Sequence, residues 1–97
     1  ETPLLVRKIN ALLRNTAAQI KKALPKIYSR ELVELIFYDF YTKISYIQKG
    51  LSVSRKTASA YLSSLEDAGF LISKKIGRER IYLNKGLFEI VREAGSK

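Results

Sequence analysis

Leu5, Ile9, Leu12, Ile20 and Leu24, with Thr16 in the same stripe, recur at steps of three, four and eight, the spacing of one face of an α-helix. Thr2-Pro3 supplies a start, since Thr can cap a helix and Pro suits its first position, and Pro25 supplies a stop, so the pattern predicts a first helix ending near Ala23. Arg7, Lys8, Arg14, Lys21 and Lys22 project largely away from the stripe. A basic amphipathic helix of this kind suits a membrane surface or a partner helix, or packs on a core with a solvated Lys/Arg face.

Further along, Ser29 can cap a second helix running to about Tyr38, with Leu32, Leu35 and Ile36 inward and Phe37, Phe40 and Tyr41 closing its end. Thr42-Lys43-Ile44 reads as a short extended stretch. Ser45 then starts a brief helix, Tyr46 to Lys49, that Gly50 is expected to end through a left-handed backbone. Leu51-Ser52-Val53 forms a turn, Ser54 caps a helix from Arg55 to Ala68, and Gly69 terminates it. Phe70 to Ile76 and Arg80 to Leu83 are β-branched and aromatic runs joined at Gly77-Arg78-Glu79, the signature of a hairpin. Asn84 can cap a last short helix carrying Leu87, Phe88, Ile90 and Val91.

Short helix, tight turn, longer helix and hairpin is the order of a winged helix-turn-helix. The expected fold class is therefore mainly α with a small β-hairpin wing, preceded by a long N-terminal amphipathic helix. Residues 1–24 form that helix, and residues 25–97 form the winged unit.

Composition narrows the function. The 97 residues carry 18 Lys plus Arg against 9 Asp plus Glu, a net charge of +9, with no His, Cys, Met or Trp. The missing Cys and His remove disulfides, zinc fingers, thiol chemistry, the commonest metal ligand and the usual general base. The remaining carboxylates fall at helix-surface spacings such as Arg30 with Glu34, and the glycines form no phosphate-cradling loop, so catalysis and cofactor binding are not expected of this segment. No apolar run approaches the roughly 18 residues of a membrane span, and no signal peptide opens the chain, which points to a cytoplasmic location. A chain opening Glu-Thr-Pro without any Met reads as part of a larger protein.

The basic excess is uneven. Thr2 to Arg30 holds seven basic residues and no acidic one, while Lys43 to Arg80 holds eight against three. A charge this far from zero raises encounter rates with polyanions and makes nucleic acid the leading partner. With Ala58, Leu62, Leu65 and Gly69 inward, helix 54–68 turns Lys56, Ala60, Ser63 and Asp67 outward, with Arg55, Thr57 and Ser59 on its flanks. Arg and Lys can take guanine edges or phosphates, and Ser and Thr suit either. Wing 73–81 adds Lys74, Lys75, Arg78 and Arg80. The predicted DNA-binding set is thus Arg55, Lys56, Thr57, Ser59, Ser63, Lys74, Lys75, Arg78 and Arg80. The plainer reading of the wing is a solvated hairpin whose lysines block edge pairing, and the tyrosines and phenylalanines, mostly at core spacings, form a weaker candidate platform for single strands.

The stretch from Leu24-Pro25-Lys26-Ile27-Tyr28-Ser29-Arg30-Glu31-Leu32 to Phe37 resembles the segment that follows the catalytic core in many bacterial Fic proteins. Tyr41-Thr42-Lys43-Ile44, Arg55-Lys56-Thr57-Ala58-Ser59-Ala60-Tyr61-Leu62, Leu65-Glu66-Asp67-Ala68-Gly69 and Gly77-Arg78-Glu79-Arg80 continue the likeness, which covers roughly residues 2–90. One position departs, with Phe40 where the family pattern has Pro. The resemblance implies a C-terminal winged-helix domain of a protein adenylyltransferase. That family's transfer of AMP from ATP to a protein hydroxyl uses a His-Pro-Phe motif and a Gly-Asn-Gly-Arg loop, neither of which is present, so the resemblance places the enzyme upstream and makes this segment an accessory, regulatory domain.

The expected partners are duplex DNA, the Fic catalytic domain in cis and a second copy of the chain, with no membrane. The competing function is a protein-interaction or dimerisation module that positions the catalytic domain, since Ala60 and Ser63 read bases poorly and the most basic segment is the first helix.

Overall fold

The computed structural model describes residues 4–95, within which lie α1 (Leu4–Ala23), α2 (Arg30–Ile36), β1 (Tyr41–Lys43), α3 (Ile44–Leu51), α4 (Arg55–Asp67), β2 (Leu71–Ile76), β3 (Glu79–Asn84) and α5 (Lys85–Gly95). The expected Thr2-Pro3 helix start falls outside the described residues. The sheet has the order β1-β3-β2, antiparallel throughout. The stretch expected only to be extended is therefore a third strand, one residue earlier than read, pairing Tyr41 with Leu83 and Lys43 with Ile81.

The helices stop and start where local chemistry directs. Ser29 Oγ accepts from Leu32 N at 3.0 Å and Ser54 Oγ from Thr57 N at 3.1 Å, each satisfying one orphan donor of a helix N-terminus. At the end of α4, Gly69 adopts φ +92°, its N–H donates to Glu66 O and the Phe70 N–H to Leu65 O, the paired bonds of a Schellman motif. Helix α2 ends at Ile36 rather than Tyr38. Helix α3 corrects a further expectation: Gly50 lies inside it, and the left-handed residue is Ser52, at φ 55°. A Cβ on Gly50 would come 2.6 Å from Leu35 Cδ1, so this glycine lets α3 rest closely on α2, and the helix runs on until Leu51 reaches the core edge.

Ile20, Leu32, Val33, Ile36, Ile47, Ala58, Leu62, Leu65, Leu71 and Tyr82 form one core beneath the sheet. Helix α1 enters it through Ile20, with Leu13 and Ala17 packed against it, and Leu5 of the expected stripe is exposed together with Leu4 and Val6. Asn84 joins three elements. Buried to 4% exposure, its amide donates to Ile36 O at 2.9 Å, closing the end of α2, and its Oδ1 accepts from Leu87 N at 3.1 Å, capping α5 as expected.

Asn84→Ala is expected to lower unfolding free energy by about 2–3 kcal/mol in denaturant titration, since it removes a cap and strands a buried carbonyl. Asn84→Asp keeps the cap acceptor but turns a buried carboxylate toward Ile36 O, and at neutral pH is expected to cost no less than Asn84→Ala. Thr42 is 2% exposed and its Oγ1 has no hydrogen-bond partner. Thr42→Val removes that buried hydroxyl at nearly constant shape and is expected to raise stability by about 1 kcal/mol in the same assay.

Candidate nucleic-acid interface

Helix α4 is set by its apolar stripe. Ala58, Leu62 and Leu65 are fully buried, which turns Lys56, Ala60, Ser63 and Asp67 to solvent. Residues Ser52 to Ser54 separate α3 from α4, the short turn of a helix-turn-helix. After it, β2 and β3 meet through the two-residue turn Gly77-Arg78, closed by the Ile76–Glu79 pair, with Gly77 at φ 62° as a tight hairpin requires.

The hairpin is tied to α4 by a polar chain. The Glu66 carboxylate accepts from both the backbone N–H (3.1 Å) and the hydroxyl of Ser73, and Arg80 donates through Nη1 to Ser73 Oγ at 3.0 Å. These bonds from Ser73 hold the Glu66 carboxyl below its ordinary range. Strand alternation then sorts the predicted wing residues. Ser73, Lys75 and Arg80 share the face turned toward α4, with Lys75 paired to Arg80, whereas Lys74 lies on the opposite face with Ile72 and Ile76.

Arg55 at the start of α4 and Arg78 and Arg80 of the hairpin line one cleft of about 230 Å³ together with Lys43, Ile44, Ser45 and Glu79. Lys43 Nζ is 2.7 Å from Glu79 Oε1, and this bond raises the lysine's pKa while cancelling its charge locally. Arg55 and Arg78 remain as the cleft's free positive charge, while Arg80 also lies in the field of Glu66, to which it is linked through Ser73. Ile44 and Ser45 open α3, whose N-terminus has no side-chain cap, so unpaired N–H groups add a partial positive charge there.

Of the predicted residues, Arg55, Arg78 and Arg80 come together in the cleft, Lys56 and Ser63 lie exposed on the outer face of α4, and Ser59 is half-buried on its flank. Thr57 is occupied by the cap, where Ser54 Oγ donates to its Oγ1 at 3.0 Å. Lys43 and Ser45 were not singled out in the sequence. Their place follows from β1 pairing with β3, for which local composition holds no signal.

No helix among the described residues is long and apolar enough to cross a membrane, and no three His, Cys, Asp or Glu side chains among them converge as metal ligands would.

Helix, short turn, helix and antiparallel wing define a winged helix-turn-helix domain with a long N-terminal helix. The profile of a family described as "Protein adenylyltransferase SoFic-like, C-terminal domain" matches residues 12–87, and the chain belongs to that family. Among solved structures the chain is similar to one titled "Protein structure of Type III plasmid segregation TubR", at 18% identity and a TM-score of 0.49, covering 87% of each chain. The domain is thus an accessory C-terminal domain of the Fic-family adenylyltransferase type.

Glu66 is held ionised by Ser73, so its contribution to hairpin docking is complete above the ordinary carboxylate range and is lost as pH falls through the depressed folded value. Thermal unfolding of Glu66→Gln beside the unsubstituted chain should show a stability gap at neutral pH that closes as pH drops below about 4. A gap of constant size across that range would mean that the carboxylate charge is not what Ser73 engages.

Proposed function

We propose that the domain binds duplex DNA through α4 and the β2–β3 wing. The observation that carries this reading is the cleft where Arg55, Arg78 and Arg80 converge, its one lining carboxylate, Glu79, bound to Lys43, and Glu66 linked to Arg80 only through Ser73. In this reading α4 enters the major groove by its N-terminal half. Lys56 and Ser63 face base edges, Ser59 lies at the groove wall, and Arg55 reaches a guanine edge or the first phosphate. Arg78, Arg80 and Lys75 lie along the backbone, while Lys74, turned to the other face, contributes through its field alone. Thr57 acts indirectly by holding the helix start. Glu66 and Asp67 sit at the far end of α4, where a helix entering by its N-terminus leaves the groove.

The domain would thereby place a Fic-type adenylyltransferase, encoded upstream, on DNA or let it regulate its own expression. Helix α1 would carry the connection to that catalytic domain.

A second reading rests on exposed apolar surface. Leu4, Val6 and Phe88 are 66%, 42% and 48% exposed on α1 and α5. These faces suit a protein surface, either the catalytic domain in cis or a second copy of the chain, and would make the module one that positions or restrains the enzyme.

Selection from random duplexes at physiological salt, followed by anisotropy titration over a salt series, tests the first reading. Arg55→Ala with Arg78→Ala is expected to make the log–log salt dependence shallower by about two units, since each lost phosphate contact removes about 0.9. Lys56→Ala should weaken an enriched sequence more than a scrambled one. Unchanged slopes and no enriched sequence would leave the protein-binding reading standing.

A further inference from the structure

The acid-free run Thr2 to Arg30 supplies more basic side chains than the cleft uses. We propose that the corner between α1 and α2, at Lys26, is a second phosphate-binding flank, on the side of α4 opposite the wing. This rests on the DNA-binding reading and adds that the duplex is gripped on both sides of the helix.

The placement comes from side chains that share hollows with α4. Lys26 lines a hollow of about 370 Å³ with Tyr61 of α4 and another of about 360 Å³ with Ser64 of α4. Ser64 and Glu66 are two residues apart and so point about 160° from one another around the helix. Glu66 faces the wing through Ser73, so Ser64, and Lys26 with it, marks the opposite flank. The exposed ridge of Lys56, Ala60, Ser63 and Asp67 runs between them.

Charge favours the same assignment. Lys26 is exposed, and among the described residues the ion pairs are Arg30–Glu34 and Lys43–Glu79, neither of which engages it. Glu31 borders the Tyr61 hollow, but the Ser64 hollow contains no acidic residue. Lys21, by contrast, is held with its Nζ 5.9 Å from the centre of the Tyr28 ring. A helix about 10–12 Å across fills a major groove about 12 Å wide and has a phosphate strand along each side. Cations on both flanks of α4 match that pair of strands, whereas a wing alone matches one.

The test is anisotropy of the 97-residue chain on a labelled duplex across a salt series, with hydroxyl-radical footprinting of both strands. Lys26→Ala is expected to flatten the slope by about one unit and to weaken protection on the strand away from the wing. Arg7→Ala removes the same charge toward the other end of α1 and should leave slope and footprint unchanged. If the two variants weaken binding alike, or if the Lys26 variant keeps the full footprint, the second flank is overturned while DNA binding stands. If the unsubstituted chain shows no salt-dependent duplex binding, the DNA reading itself fails and takes this inference with it.

Discussion

The structure depends on burial of one stripe of α4. Ala58, Leu62 and Leu65 have no exposed surface, and they meet α2, α3 and the inner face of the sheet in a single core. Each fully buried leucine stabilises by about 2–3 kcal/mol, whereas a solvent-exposed ion pair contributes about 0–1 kcal/mol. Rotating α4 to present different side chains would forfeit far more than any surface contact returns. Burial thus fixes which residues face outward, and the ridge Lys56–Ala60–Ser63–Asp67 follows from the core.

The wing is firm at its base and open at its tip by the same logic. Leu71 and Tyr82 anchor it in the core, Glu66 and Ser73 bind it to α4, and Asn84 ties the end of β3 to α2 and α5. Beyond Ser73 every residue of β2 is exposed, and the turn carries Arg78. A hairpin built this way holds Arg80 at a fixed height beside Arg55 while leaving the arginine at its tip free to adapt.

Where structure is decided within a few residues, the sequence was informative. Ser29, Ser54, Gly69, Gly77 and Asn84 act on their immediate neighbours, and the order of helices and hairpin followed from them, as did the resemblance that the family match bears out over residues 12–87. The misses are non-local. Strand β1 exists because Tyr41 meets Leu83, and the cleft includes Lys43 and Ser45 only because β1 lies there. Gly50 looked like a helix stop because its close approach to Leu35 belongs to another helix. The face of Lys74 was hidden because Leu71-Ile72-Ser73-Lys74-Lys75-Ile76 does not alternate cleanly, and hydrogen bonding of Ser73 to Glu66 decides it.

A winged helix does not by itself select a partner. Surface chemistry divides this domain instead. Arg55 and Arg78 at the cleft and Lys26 at the α1–α2 corner lie around α4, while Leu4, Val6 and Phe88 expose apolar surface on α1 and α5. A polyanion gains nothing from exposed apolar side chains, and an apolar protein surface gains nothing from a cluster of arginines it would have to desolvate. The two readings of function therefore draw on different surfaces and need not compete. Under the proposed readings, a domain that seated on a catalytic domain through the exposed apolar side chains of α1 or α5 would keep α4 available, so one small fold could join an enzyme to a duplex.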